Sequence, residues 1–206
     1  MEADVVTQMM TAKSSKGEER REAIEAAARR MLLDEGYAGV SLRGIATKLG
    51  ISVGNLQYYF PTKDDLVESV IVGETQKPID LLGGIAWSPN DAPNSIRQAV
   101  GSLLQYYASE AGRFYAIMES LALHDARYAK LKADGYAHVL GHIEQLIGLV
   151  VPNLPADRAA GLARVLVALI DGASLQVQFA RNEADSVDAL IVDVSSAIEH
   201  LLESWE

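Results

Sequence analysis

Apolar residues recur at intervals of three and four along nearly the whole chain after residue 17. Between Glu18 and Glu35, one stripe with this spacing consists of Ile24, Ala27, Ala28, Met31 and Leu32. Such spacing places residues on one face of an α-helix, whereas a half-buried β-strand alternates polar and apolar residues. No convincing alternation occurs in this sequence, which therefore predicts an all-α fold.

Capping residues and helix breakers divide this pattern. Ser41, Ser52 and Thr62 are predicted to begin helices at 42–49, 53–59 and 63–77. Gly36, Pro78 and Gly112 are predicted to end the first, fourth and fifth helices, because glycine and proline commonly follow or interrupt helices. The later helices are predicted from about 94, around 114–121, and at 125–151, 156–181 and 185–204.

The domain organisation follows from two irregular regions. Residues 1–16 lack periodicity and predict a disordered arm, and the Gly/Pro-rich stretch "LLGGIAWSPNDAPNS" is typical of a connection between domains. We predict a small helical domain at 17–75 and a larger one at 76–206.

Composition excludes several kinds of protein. The 206 residues include no cysteine, which excludes disulfides, thiolate metal sites and cysteine nucleophiles. The first residues lack the apolar run of a secretory signal, and the longest uncharged stretch, 49–62, is too short and polar to span a bilayer. We expect a soluble, cytoplasmic protein that does not interact with membranes.

The charge distribution marks one segment. The net charge is −10, but residues 36–63 contain no acidic residue and carry +3, so the other residues carry −13. A basic window in an acidic chain is typical of a protein that contacts phosphates in one place only.

Within that window, "GISVGNLQYYF" at 50–60 permits two interpretations of Ser52. The pattern G-x-S-x-G is the nucleophile elbow of the α/β-hydrolases, but an elbow needs a strand before the serine, and the preceding residues have helical spacing. None of the four histidines has the sequence context of a catalytic base. The alternative is that Ser52 caps a helix, and we do not expect an enzyme.

The segment fits a helix-turn-helix better. Such a unit needs a small residue where its helices cross, a turn glycine, and apolar anchors on either side of the turn. Ala46, Gly50, Ile51 and Leu56 meet these needs, and Ser52 is placed to cap the second helix. We therefore interpret Ser52 as a cap whose helix presents free N–H groups to a phosphate.

The stretch "SLRGIATKLGISVGNLQYYFPTKDDLVESVI", preceded by "DEGYAGV", resembles the DNA-binding domain of the TetR family of bacterial transcriptional repressors. The resemblance covers about residues 18–72. It implies a helix-turn-helix domain followed by a helical ligand-binding and dimerisation domain. It also implies a homodimer that binds a palindromic DNA operator and is released by a small-molecule effector, with no cofactor.

Carried over residue by residue, the resemblance implies a set of DNA-contacting residues. Gly54 permits close approach to the groove, Asn55 and Gln57 face base edges, and three side chains hold phosphates: Tyr58, Tyr59 and Lys63. Ser41, Ser52 and Val53 complete the set at the starts of the two helices, together with Arg43, whose position in the first turn of its helix favours a phosphate partner.

Two of these positions depart from the family pattern. Gln57 replaces a common tyrosine, and glutamine can pair bidentately with adenine in the major groove. Val53 replaces a common lysine, which removes a phosphate contact and offers an apolar contact to a thymine methyl group. An operator guess based on relatives with tyrosine is therefore unsafe.

The last two predicted helices favour a dimer. "LARVLVALI" at 162–170 is apolar almost all round, and the final helix has a long apolar stripe: Val187, Leu190, Ile191, Val194, Ile198, Leu201 and Leu202. Two such helices from each of two chains can form a four-helix bundle.

A ligand pocket is expected within the helices at about 95–180. Gln176 falls in the apolar arc of its helix, where a buried amide needs a partner. The other candidate wall residues are Tyr107, Phe114, Met118 and Tyr128, with core packing as the alternative. His138 and His142 have metal-ligand spacing but no evident third ligand, so no metal site is predicted. The role of Asp171 stays open.

The best hypothesis is a DNA-binding repressor released from its operator by a small apolar ligand. The alternatives are a DNA-binding regulator without a small-molecule ligand, and a serine hydrolase that uses Ser52.

Overall fold

The structure, a computed structural model, describes residues 16–179 and 184–205. Within these ranges the chain forms nine α-helices and no strand, which confirms the all-α prediction. The helices are α1 (Lys16–Gly39), α2 (Leu42–Leu49), α3 (Val53–Tyr59), α4 (Lys63–Gly83), α5 (Ala92–Ala108), α6 (Glu110–His124), α7 (Ala126–Val150), α8 (Ala156–Phe179) and α9 (Ala184–Trp205). A short 3₁₀ turn, Pro89–Asp91, precedes α5.

The chain divides into two compact units, residues 1–70 and 71–206, so the division falls within α4. The stretch 81–95 lies inside the second unit, where the Trp87 indole donates to the Leu82 carbonyl. The predicted arm at 1–16 lies outside the described residues except for Lys16, as do residues 180 and 181 of the predicted eighth helix.

The first unit packs α1, α2, α3 and the start of α4 around one apolar core. Its fully buried side chains include Ile24, Ile45, Leu56, Phe60 and Leu66. Ile24 and Leu56 are apolar positions that the sequence had identified. Gly36 ends the regular part of α1 as predicted, since its φ of 69° is open to glycine at little cost. Arg21 on α1 donates to Ser69 on α4 and lies 4.5 Å from the centre of the Phe60 ring, which joins the two helices.

Two predicted helix ends are wrong. Helix α4 continues through Pro78 to Gly83, because a proline removes one hydrogen bond but neighbouring contacts can sustain the helix. The fifth helix ends at Ala108 and not at Gly112, since Ser109 breaks it and caps α6 by accepting from the Ala111 N–H.

Gly112 is instead buried within α6. A Cβ there would clash with the Tyr107 carbonyl oxygen and lie 2.7 Å from Cγ of Gln178. The glycine therefore allows a close approach between α6 and α8, which explains it better than a helix break does.

The second unit is a bundle in which α5 packs against α6, α8 and α9, and α7 packs against α6 and α8. Its main core cluster draws on α5, α7, α8 and α9, with Leu104 and Leu162 fully buried. The apolar stripe of α9 packs into this core of its own chain, with Val194, Ile198 and Leu202 buried.

Candidate functional site

The turn between α2 and α3 has the geometry predicted for a helix-turn-helix. The Ser41 hydroxyl accepts from the Gly44 N–H at 3.1 Å, and the Ser52 hydroxyl accepts from the Asn55 N–H at 3.1 Å. Gly50 adopts the left-handed conformation, with φ 64°, and its N–H donates to carbonyls at the end of α2. Ser52 is thus a helix cap, and the segment before it is a helix and not the strand of a nucleophile elbow.

Helix α3 keeps only Leu56 buried among its seven residues. Gly54, Asn55 and Gln57 are exposed, and Tyr58 is 82% exposed, an unusual state for a large aromatic side chain. Val53 and Tyr59 are half-buried. Helix α3 therefore presents two side-chain amides, a phenol and the bare backbone of a glycine on its exposed face.

The glycine at 54 is not required by packing. A Cβ built there meets no atom within 4 Å, and its φ is not positive. Among the described residues, nothing requires a glycine at this position.

The basic side chains of the window 36–63 differ in their surroundings. Arg43 is exposed on α2, while the Lys48 ammonium lies 3.4 Å from Glu35 in an exposed ion pair. Lys63 is half-buried, and its ammonium donates to the Tyr37 carbonyl and lies 3.8 Å from the centre of the Tyr37 ring. Burial lowers the pKa of Lys63, and Asp64 partly opposes this. Lys63 can therefore bind a phosphate only through the N–H donors of its ammonium group that the Tyr37 carbonyl does not occupy.

A cavity of about 500 Å³ lies inside the second unit. Helices α4 to α9 all contribute to its wall, and most of the wall is apolar, with side chains such as Ile79, Leu103, Val139 and Ile170. A cavity of this size suits a small organic molecule.

Only some of the predicted pocket residues line the cavity. Tyr107 and Met118 line the cavity. Phe114 and Tyr128 are fully buried but absent from the wall, so they are core residues in this structure. This is the packing alternative that the sequence left open.

The expectation that Gln176 is buried is wrong. Its side chain is exposed and does not line the cavity, whereas Ala173 of the same arc is buried and Leu169 half-buried. The reason is that the apolar arc of α8 is wider than the part its own unit covers, which leaves Val165 44% and Leu175 56% exposed. Val192 on α9 is 55% exposed as well.

Several polar side chains of the cavity wall were not assigned to it from the sequence: Tyr115, Glu119, Lys132, Tyr136, Asp171 and His142. Of these, the sequence singled out Asp171, with its role left open, and His142 as one of a histidine pair. Asp171 could have been assigned to the wall from the sequence, because it is a polar residue inside an otherwise apolar stripe. The others lie at helical positions that look like ordinary surface residues in the sequence.

Two hydrogen bonds join these polar groups. Tyr136 donates its hydroxyl proton to Oδ2 of Asp171 at 2.6 Å, and Lys132 pairs with Glu119. Burial raises the pKa of Tyr107 to about 12, and also raises the pKa values of Tyr115 and Tyr136. All three phenols are therefore neutral at physiological pH.

A third hydrogen bond joins Tyr115 of the wall to the backbone of α4. Pro78 has no N–H, so the carbonyl of Glu74 four residues earlier lacks its usual helical donor. The Tyr115 hydroxyl on α6 donates to that carbonyl at 3.2 Å. Tyr115 thereby helps α4 to remain helical through its proline.

The histidine pair shows no metal site. His138 is exposed, whereas His142 lines the cavity and its Nε2 is buried without a hydrogen-bond partner in the described part of the chain. Over residues 16–179 and 184–205, no group of three His, Asp or Glu side chains is placed to hold a metal ion.

By length and composition, residues 156–178 of α8 are apolar enough to cross a membrane, with a mean hydropathy of 1.5. In this structure α8 packs against α5, α6, α7 and α9.

The N-terminal part of the chain is similar to known proteins. The sequence model described as "Bacterial regulatory proteins, tetR family" matches residues 24–70. The HTH-type transcriptional regulator PksA of Bacillus subtilis (strain 168) is 38% identical over 69 residues, and the match covers 34% of each chain. The chain thus matches about a third of the length of this curated relative.

Solved structures extend the likeness in fold to most of the chain. A protein from Mesorhizobium loti MAFF303099, described as a TetR-family transcriptional regulator, has a TM-score of 0.75 at 17% identity, with 93% of this chain and 98% of that one covered. A protein from Saccharomonospora viridis, described as a transcriptional regulator and crystallised with choline, has a TM-score of 0.65 at 22% identity, with 89% and 97% covered. At these identities the likeness shows a shared fold.

Proposed function

We propose that this chain, whose N-terminal domain matches the TetR family, is a transcriptional regulator that binds a palindromic DNA operator as a homodimer. The observation that carries the proposal is the exposure of α3, where Leu56 alone is buried. Asn55 and Gln57 would face base edges, and Arg43, Tyr58 and Tyr59 would hold phosphates. Such a protein works in the cytoplasm, and Ser52 has no catalytic role in it.

Selection of random duplex DNA tests this proposal. Purified protein should enrich a palindrome, because a twofold dimer presents two copies of α3. Gln57→Ala should relax the preference at one base pair per half-site, at a cost of roughly 1–3 kcal/mol. Gln105→Ala is the matched control, since Gln105 is exposed on α5 in the other unit. If folded protein enriches nothing at low salt, the proposal fails.

The homodimer is proposed to form through the exposed apolar side chains of α8 and α9, namely Val165, Leu175 and Val192. A carboxylate buried in such an interface lacks a partner and is costly. Val192→Asp should therefore convert the dimer to a monomer in light scattering coupled to gel filtration. Leu123→Asp, at an 80% exposed position on α6, should leave the dimer intact. A monomeric wild-type protein would contradict this part of the proposal.

The cavity is proposed to hold the effector that releases the DNA. Helix α4 begins at Lys63 in the first unit, and its residues Thr75, Pro78 and Ile79 line the cavity in the second. A ligand that displaces these residues changes the equilibrium between conformations, provided that it binds one of them better. The Saccharomonospora viridis protein, which shares this fold, was solved in complex with choline, and this supports a small-molecule ligand for the present chain.

A regulator without a small-molecule ligand is the second candidate. A thermal-shift screen of hydrophobic compounds separates the two, because a specific ligand stabilises the folded protein. The absence of any stabilising compound, together with normal operator binding, would favour the second candidate.

A further inference from the structure

The cavity wall has more acidic than basic side chains. Glu119, Lys132 and Asp171 are the charged side chains that line it within the described residues. The Lys132 ammonium is paired with the Glu119 carboxylate. Asp171 makes no ion pair with any residue that the structure describes, so the wall carries one uncompensated carboxylate.

The surroundings of Asp171 disfavour its charge. Burial raises the pKa of Asp171, the hydrogen bond from Tyr136 opposes this, and Glu119 raises it more than Lys132 lowers it. His142 also lines the wall, and it makes no hydrogen bond with Asp171 in the described part of the chain. A carboxylate in this state gains more from an arriving cation than a solvated one does.

Aromatic rings surround the same cavity. Tyr107, Tyr115 and Trp87 line it, and the rings of Tyr107 and Tyr115 meet edge to face with centres 5.1 Å apart. The Lys132 ammonium already lies 5.6 Å from the centre of the Tyr136 ring. The faces of aromatic rings attract cations, and the attraction is stronger where water is excluded.

We propose that the ligand of this cavity is an apolar cation, an amine or quaternary ammonium with a hydrocarbon body, whose charge lies at Asp171. This rests on the proposed effector role of the cavity. The apolar wall holds the hydrocarbon body, and the tyrosine rings and the carboxylate hold the charge. An anion is repelled by Asp171, and a neutral molecule leaves that carboxylate without a counter-ion.

The test uses two probes of the same shape. Benzyltrimethylammonium carries a positive nitrogen where neopentylbenzene carries a neutral carbon. Dissociation constants from calorimetry, or from thermal shifts with the full-length protein, should favour the ammonium by about tenfold or more. Asp171→Asn keeps the shape of the side chain and removes its charge, so this preference should fall to about twofold or less.

One variant controls for side effects. Asp134→Asn makes the same change of net charge at an exposed position of α7 and should keep the preference for the ammonium.

Three results would overturn the proposal: equal or tighter binding of neopentylbenzene, an unchanged preference in Asp171→Asn, or no binding of the ammonium at all. Operator selection on the same protein sample decides the regulator function separately. A protein that enriches a palindrome but prefers neutral probes remains a regulator, with a different class of ligand.

Discussion

Helix α3 and the cavity wall are two candidate binding sites built in opposite ways. The residues of α3 are consecutive in sequence, and the fold uses Leu56 alone as a buried anchor. The cavity wall takes residues from six helices, between Thr75 and Leu202, and many of its members also belong to the core. The α3 residues can therefore be changed at little cost to stability, whereas changes in the wall alter binding and stability together.

The largest effect is expected where packing is tightest. Gly112→Ala forces a Cβ against the Tyr107 carbonyl and Gln178, and overpacking of this kind costs about 1–3 kcal/mol of unfolding free energy. Gly148→Ala is the control, since a Cβ at this exposed position of α7 meets no atom within 4 Å. It should raise stability by up to about 1 kcal/mol. Urea unfolding followed by circular dichroism measures both, and equal effects would show that the close approach of α6 is not needed.

Gly54→Ala should separate function from stability. No described residue opposes a Cβ there, so the free energy of unfolding should stay constant or rise by up to about 1 kcal/mol. The added methyl group would stand between α3 and the groove and weaken operator binding by about 1–2 kcal/mol, roughly the value of one base contact. Titration of the selected operator at fixed salt measures this loss. Unchanged affinity would mean that Gly54 does not approach the DNA.

Tyr115→Phe should affect the wall and α4 together. It removes the donor to the Glu74 carbonyl in the turn that Pro78 interrupts. We expect a loss of about 1 kcal/mol in unfolding free energy. Tyr58→Phe removes a hydroxyl from an exposed side chain and should change stability far less. Denaturant unfolding of both variants compares them, and a smaller loss in Tyr115→Phe than in Tyr58→Phe would contradict the role given to this hydrogen bond.

The smallest effect concerns pH. Because burial raises the pKa of Asp171, folding favours its protonated form, so its contribution to stability is present in acid and is lost as pH rises through the folded-state pKa. The melting temperature of Asp171→Asn relative to wild type should therefore increase from acid to neutral pH. Asp134→Asn controls for net charge. A difference between Asp171→Asn and wild type that is constant with pH would show that Asp171 is well solvated.

The first unit could be predicted in detail because its signals are local. Caps, a turn glycine and apolar spacing lie within about twenty residues, and the structure has Ser41, Ser52 and Gly50 in their predicted roles. The contact of Lys63 with Tyr37 could not be predicted from local signals, because it joins residues 26 positions apart. The DNA contacts themselves remain predictions.

The cavity could not be predicted in this way. Tyr136 and Asp171 are 35 residues apart, and only the packing of α7 against α8 brings them together. Phe114, Tyr128 and Gln176 were plausible wall residues by helical spacing, yet spacing does not say which neighbour covers a face.

By itself, the sequence determined the all-α class, the helix-turn-helix and the capping role of Ser52, because these depend on interactions between residues a few positions apart. Only the tertiary structure decided which apolar faces meet each other, where α4 ends, and which polar groups share a cavity. Those outcomes depend on how whole helices pack. The sequence of a helix gives the width and position of its apolar stripe, but it does not say which helix packs against that stripe.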